Sequence, residues 1–170
     1  MTLKELNIIN FKNIAEATLT FTSGFNCFVG NNGVGKTNVL DAIYHLSMCK
    51  SYFNLPDLQN IRHEEPFFVV QGKYERGGEE LTVYCGVKRG QKKVFKKNQK
   101  AYDKLSEHIG LIPLVMISPE DFILIDGGSE ERRKLVDGII SQCDRVYLHR
   151  LIRYNLSLIH ISEPTRPISI

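Results

Sequence analysis

Apolar and polar residues alternate from the start of the chain. Leu6, Ile8 and Phe11 open one strand pattern; Ala17, Leu19 and Phe21, interleaved with Thr18, Thr20 and Thr22, give a second, half-buried one. Ser23-Gly24 marks a turn, and Phe25-Asn26-Cys27-Phe28-Val29 reads as a short buried strand. The period then lengthens. Val39, Leu40, Ile43, Tyr44 and Leu46 recur at helical spacing, which predicts a helix from Lys36 to about Cys49. Residues 51–65 are irregular, with Pro56 and Pro66 as breaks. Residues 67–75 and 81–88 read as strands joined by Gly77-Gly78, a hairpin signal, and Val94 with Phe95 suits a third short strand. Residues 103–108 suit a short helix. The apolar run 111–117, interrupted by Pro113, is expected as a buried strand. From Ser129 the pattern is helical. Ser129 is the expected N-cap, with Glu130 and Glu131 in the first turn, and Asp144 is the expected cap of a further helix carrying Leu148, Leu151 and Ile152. The fold class is α/β, with an antiparallel β portion beside a strand–loop–helix unit.

That unit carries the chemistry. Gly30-Asn31-Asn32-Gly33-Val34-Gly35-Lys36-Thr37 fits G-x-x-x-x-G-K-[ST] without mismatch, between the expected strand and the expected helix. The pattern predicts a loop whose backbone N–H groups surround the phosphates of a nucleoside triphosphate. Lys36 reaches the β- and γ-phosphates, the Thr37 hydroxyl sits on Mg²⁺, and the positive end of the helix faces the same anion. Hydrolysis needs a metal-binding acid at the end of an apolar strand and a group that positions water. Phe122-Ile123-Leu124-Ile125-Asp126 fits that pattern only superficially. Ser118-Pro119-Glu120-Asp121 before it reads as a loop and helix start, and Gly127-Gly128 follow it, so a short apolar helix or turn is the better expectation.

Composition adds four points. At 170 residues, 42% hydrophobic and 24% charged, the chain suits a globular protein of one domain with a real core, or one domain and part of another. No apolar run is long enough to span a membrane and no apolar leader opens the sequence, so a cytoplasmic location is expected. Cys27, Cys49, Cys85 and Cys143 are far apart and read as free thiols. Charge is uneven: the chain carries a net +3, yet residues 88–104 hold eight cations (Lys88, Arg89, Lys92, Lys93, Lys96, Lys97, Lys100, Lys104) and one acid, Asp103. This stripe either contacts DNA phosphates, with Lys92, Lys93, Lys96 and Lys97 as candidates, or is a solvated hairpin whose lysines discourage edge pairing.

Three motifs carry a family resemblance. Leu6-Asn7-Ile8-Ile9-Asn10-Phe11-Lys12-Asn13 resembles the opening strand of the SMC-like, ABC-type ATPases, as do the loop variant and Thr37-Asn38-Val39-Leu40-Asp41-Ala42-Ile43. Ser118-Pro119-Glu120-Asp121 followed by Gly127-Gly128-Ser129, Arg132-Arg133 and Asp137 is similar to the RecF family of bacterial DNA repair proteins, and the likeness continues through Tyr147 to Asn155. The resemblance implies a P-loop ATPase head over residues 1–125 and the beginning of a helical arm over 126–155. It implies ATP and Mg²⁺ as cofactors and an ATP-dependent homodimer. The family's role is DNA replication and repair, linked to the SOS response. It acts at single-strand gaps and on double-stranded DNA, with RecO and RecR, in loading RecA. It further implies weak, DNA-dependent ATP hydrolysis used as a switch. Carried onto this sequence, Lys12 and Asn13 would face the nucleotide beside Gly30–Thr37. Ser118–Asp121 would occupy the γ-phosphate-sensing region, without a glutamine. Arg132 and Arg133 would make internal pairs or reach DNA or a partner.

RecF-like proteins are about twice this length, and their ABC signature and catalytic acids have no counterpart in the 170 residues. Residues 156–170 depart from the family and resemble a translated sequencing adapter, which reads as a non-native tail. Two other readings compete. One is a P-loop small-molecule kinase, with Arg132-Arg133 as a lid. The other is a truncated product without function, its helical arm cut.

Overall fold

The computed structural model describes residues 1–162. It forms two compact units, Met1–Leu114 and a second from Val115 onward.

The first unit is built on a six-stranded antiparallel sheet. Its strands are β1 (Thr2–Phe11), β2 (Ile14–Thr20), β3 (Phe67–Arg76), β4 (Glu79–Lys88), β5 (Val94–Lys97) and β6 (Lys100–Ala101), in the spatial order β2-β1-β3-β4-β5-β6. Turn chemistry sets three of the pairings. Gly77 and Gly78 join β3 to β4 with φ of 60° and 84°, and Asn98 and Gln99 join β5 to β6 with φ of 45° and 69°. Two successive positive φ values match the right-handed twist of the flanking strands. Lys12 and Asn13 close the β1–β2 hairpin, with Phe11 paired to Ile14.

Alternation puts Leu6, Ile8, Phe68, Val70, Val83, Cys85 and Phe95 on one face, each 2% exposed or less. Helix α1 (Lys36–Met48) packs there through Val39, Ala42 and Leu46. Gly72 of β3 makes room for it: a Cβ at that position would lie 2.9 Å from Leu46 and 2.7 Å from the Tyr74 ring. The second unit contains α2 (Ile123–Asp126), α3 (Ser129–Cys143) and α4 (Arg145–Ser162).

The strand patterns of β1–β5, the Gly77-Gly78 hairpin and the Asp144 cap stand. Asp144 Oδ1 accepts from the Val146 and Tyr147 amides at 2.7 and 3.1 Å. Three expectations are corrected. Residues 25–29 form no ladder, and Phe25 and Val29 are 102% and 92% exposed. Residues 111–117 form none either; Ile112 is buried, but Val115 and Ile117 are 67% and 82% exposed. An apolar run becomes a buried strand only beside a neighbour, and neither run is a neighbour in the six-stranded sheet. Ser129 is the first residue of α3 rather than its cap, which is Gly128. Asp126 ends the short helix α2, which agrees with the helix expected over residues 122–126 rather than an apolar strand. The expected tail partly overlaps α4, which continues through Ser162; residues 163–170 lie outside the described residues.

His108 ties residues 102–108 to α1. Its Nε2 donates to the Leu46 carbonyl at 2.6 Å, which leaves Nδ1 to accept from the Tyr102 hydroxyl at 3.2 Å. Burial lowers its pKa from the ordinary 6.5; the bond to Leu46 opposes that shift and Lys97 adds to it. The unfolded chain therefore binds the proton more readily, so the stability this site contributes is present above pH 6.5 and declines as pH falls below it. Urea denaturation at about pH 7.5 and about pH 5.5, on either side of the ordinary histidine range, should give the lower midpoint in the acid sample, and His108→Gln should reduce that difference.

Candidate functional site

The loop 30–35 runs into the first turn of α1, and no side chain caps that helix. An uncapped N-terminus leaves backbone N–H groups without partners and carries a partial positive charge, which suits an anion. No acidic residue lies in the first turn to compete for it. Gly33 and Gly35 take φ of 85° and 106°, a region costly for residues with a Cβ. Gly35 has a second reason to be glycine: a Cβ there would sit 2.8 Å from Asn13 Oδ1 and 3.3 Å from Ile14.

Lys36 bends back over the loop. Its Nζ donates to the Gly30 and Asn31 carbonyls, both at 2.8 Å. The ammonium thus waits at the mouth of the cradle on two neutral acceptors. A charge-assisted bond from an ammonium to an anion is stronger than one to a neutral carbonyl. Thr37, the second helical residue, is exposed. A groove of about 510 Å³ flanks the loop, lined by β2 residues Ile14 and Ala17 and by Phe28, Val34, Gly35 and Lys36. The glycine cradle, uncapped helix and adaptable ammonium fit a triphosphate, and the Thr37 hydroxyl is suited to its magnesium ion.

The structure brings Lys12 and Asn13 to this loop–helix unit, but through protein partners. Asn13 Nδ2 donates to the Gly33 carbonyl at 2.7 Å, and Asn13 Oδ1 accepts from Asn38 at 2.8 Å. Lys12 Nζ lies 2.6 Å from Asp41 Oδ2 and 4.6 Å from the centre of the Phe53 ring. Asp41 is fully buried and also accepts from the Ser51 hydroxyl at 2.8 Å and the Tyr52 amide at 2.7 Å. Sequence reasoning does not single out Asn38, Asp41 or Ser51. A signal is present in the spacing of Asn38 and Asp41, three apart on one helix face.

The lysine stripe divides. Lys93 is only 15% exposed at its side chain, pairs with Asp57 at 2.7 Å and donates to the Cys49 carbonyl at 2.7 Å. Asp57 also meets His45 Nε2 at 3.3 Å. Burial raises the Asp57 pKa, but its bonds to His45 and Lys93 outweigh that and leave it below the ordinary value. Lys93 is thus engaged by partners inside the protein. Lys92 and Lys97 are exposed, and Lys96 lies over the Tyr84 ring at 5.4 Å.

In the second unit Ser118 and Asp121 form a capping box: Ser118 Oγ accepts from the Glu120 amide at 3.2 Å, and Asp121 accepts from the Ser118 amide at 2.6 Å. Arg132 donates to the Leu124 and Gly127 carbonyls at 3.2 and 3.0 Å, closing the end of α2; Arg133 is exposed.

Residues 1–118 match the family described as AAA ATPase domain. The chain is 58% identical over 159 residues to a DNA replication and repair protein RecF of Phocaeicola vulgatus, covering 93% of this chain and 43% of that protein. It is 56% identical over 160 residues to the RecF of Bacteroides fragilis, covering 94% and 43%. The chain thus spans about two-fifths of the length of these curated relatives. Among solved structures, the recombination mediator protein RecF-ATPrS of the RecFOR pathway superposes with a TM-score of 0.88 at 34% identity, over 94% of this chain and 43% of that one. An SMC head domain from Thermotoga maritima superposes at 0.52 with 27% identity, over 63% and 40%.

Two substitutions separate the roles. Lys93→Ala should cost about 2 kcal/mol of stability through its half-buried pair with Asp57, read as a lowered urea midpoint. Lys97→Ala should leave stability within about 0.5 kcal/mol of the parent.

Proposed function

Because this chain belongs to the AAA ATPase domain family and matches the N-terminal part of RecF proteins, we propose that it is the ATP-binding portion of a DNA replication and repair protein. The observation that carries this is the glycine loop at the uncapped start of α1, with Lys36 held on its rim. The loop amides and the helix end bind the phosphates. Lys36 would exchange the Gly30 and Asn31 carbonyls for the β- and γ-phosphates, and the Thr37 hydroxyl would hold a magnesium ion that supplies charge neutralisation there. Bound ATP supplies a γ-phosphate whose presence or absence is the switch. In the whole protein that switch would govern pairing of two heads and engagement of DNA at single-strand gaps, with RecO and RecR as partners and RecA as the protein loaded, in the cytoplasm. What supports this wider role is the 58% identity to RecF and the ATP-analogue complex of its structural relative.

DNA binding falls to Lys92, Lys96 and Lys97 at the β5 edge, since Lys93 is committed to Asp57. Arg132 is occupied by the carbonyls of α2, which weakens the reading of a kinase lid.

Isothermal titration should show Lys36→Ala losing at least about a hundredfold in ATP affinity, as expected for removing a charge-assisted bond to phosphate. Unchanged affinity would refute the site. The triple substitution of Lys92, Lys96 and Lys97 by alanine should flatten the dependence of DNA affinity on salt, by about one unit of slope for each phosphate these lysines neutralise. A slope equal to the parent's would exclude the stripe.

A further inference from the structure

We propose that Lys12 and Asn13 form a positioning element for the phosphate loop, holding its backbone from outside instead of binding the nucleotide. The inference rests on the reading of residues 30–37 as the ATP site. The two residues fill one tight turn between β1 and β2, and that turn holds the loop–helix unit at three places: the Gly33 carbonyl, Asn38 and Asp41. In a planar trans peptide the C=O and the following N–H point in opposite directions. Drawing the Gly33 carbonyl onto Asn13 therefore aims the Val34 N–H away from Asn13. Asn13 Oδ1 also occupies the space beside Gly35 that a side chain would need, so turn and loop are fitted to each other.

Lys12 is not available as a phosphate ligand at small cost. Its ammonium lies 2.6 Å from Asp41 and against the Phe53 ring, and its side chain is 12% exposed. Asp41 is completely buried, and losing its cation would strand a carboxylate in the interior. The pair instead fixes α1 against the β1–β2 turn, and through α1 the direction in which its first amides point.

The discriminating property is the dependence on the γ-phosphate. A residue that touches the γ-phosphate affects ATP and not ADP. A residue that holds the loop backbone affects both equally. Titration calorimetry of Asn13→Ala should show ATP and ADP affinities both falling about tenfold, the worth of one anchoring hydrogen bond, with the melting temperature of the nucleotide-free protein unchanged. Lys12→Met should weaken both nucleotides by one common factor, and Lys12→Arg should keep parental affinity for both. A loss confined to ATP in either Asn13→Ala or Lys12→Met would overturn the proposal and make the residue a direct ligand. Parental affinity in Asn13→Ala, alongside lost binding in Lys36→Ala, would also overturn it while leaving the ATP site in place. Parental affinity in Lys36→Ala would remove the site and the proposal together.

Discussion

Asp41 is a carboxylate with no exposure to water, and the structure around the candidate site is organised by its need for donors. Isolating such a charge is strongly unfavourable unless it is paired and hydrogen-bonded. Its three donors come from different parts of the chain: Lys12 from the β1–β2 turn, and the Ser51 hydroxyl and Tyr52 amide from the segment after α1. Meeting that requirement places α1 against the turn in one position. The helix start, and the glycine loop feeding it, follow from that position. A hydrophobic interface alone would tolerate sliding or rotation of α1 on the sheet; three directional bonds to one carboxylate tolerate little.

The loop is the complementary case, exposed and polar. Its glycines accept backbone angles closed to other residues, and the helix behind it keeps uncapped amides. Such an arrangement gains its stabilisation when an anion arrives. Until then Lys36 rests on the Gly30 and Asn31 carbonyls, and Asn13 holds the Gly33 carbonyl from outside. A rigid support beneath and an adaptable ammonium above together suit reversible nucleotide binding.

The loop is legible in the sequence because its residue types are demanded by backbone geometry and by phosphate chemistry. The strands β1 to β5 are legible from alternation, and Gly77-Gly78 from turn chemistry. The hairpin at Asn98-Gln99 escapes such reading because Asn-Gln lacks the glycine that normally advertises two positive φ values. Residues 25–29 and 111–117 mislead because an apolar run records a preference for burial without naming a neighbour, and neither run joins the six-stranded sheet. The Lys93–Asp57 pair is not legible for a related reason. A lysine within a charged stripe looks solvated until Asp57, far earlier in the chain, is folded against it. The Lys12–Asp41 pair is likewise hidden, since both residues lie inside motifs that already suggest the nucleotide.

A cradle already shaped by the β1–β2 turn and α1 would receive ATP with little change elsewhere in the fold. Amide NMR shifts during ATP titration test it most directly. The largest shifts are expected at the amides of Gly33, Val34, Gly35, Lys36 and Thr37, with the Asn13 side-chain amide still bonded to Gly33 and the strands β1 to β5 nearly unmoved. Largest shifts among residues 115–162, or release of the Asn13 amide as ATP binds, would contradict it.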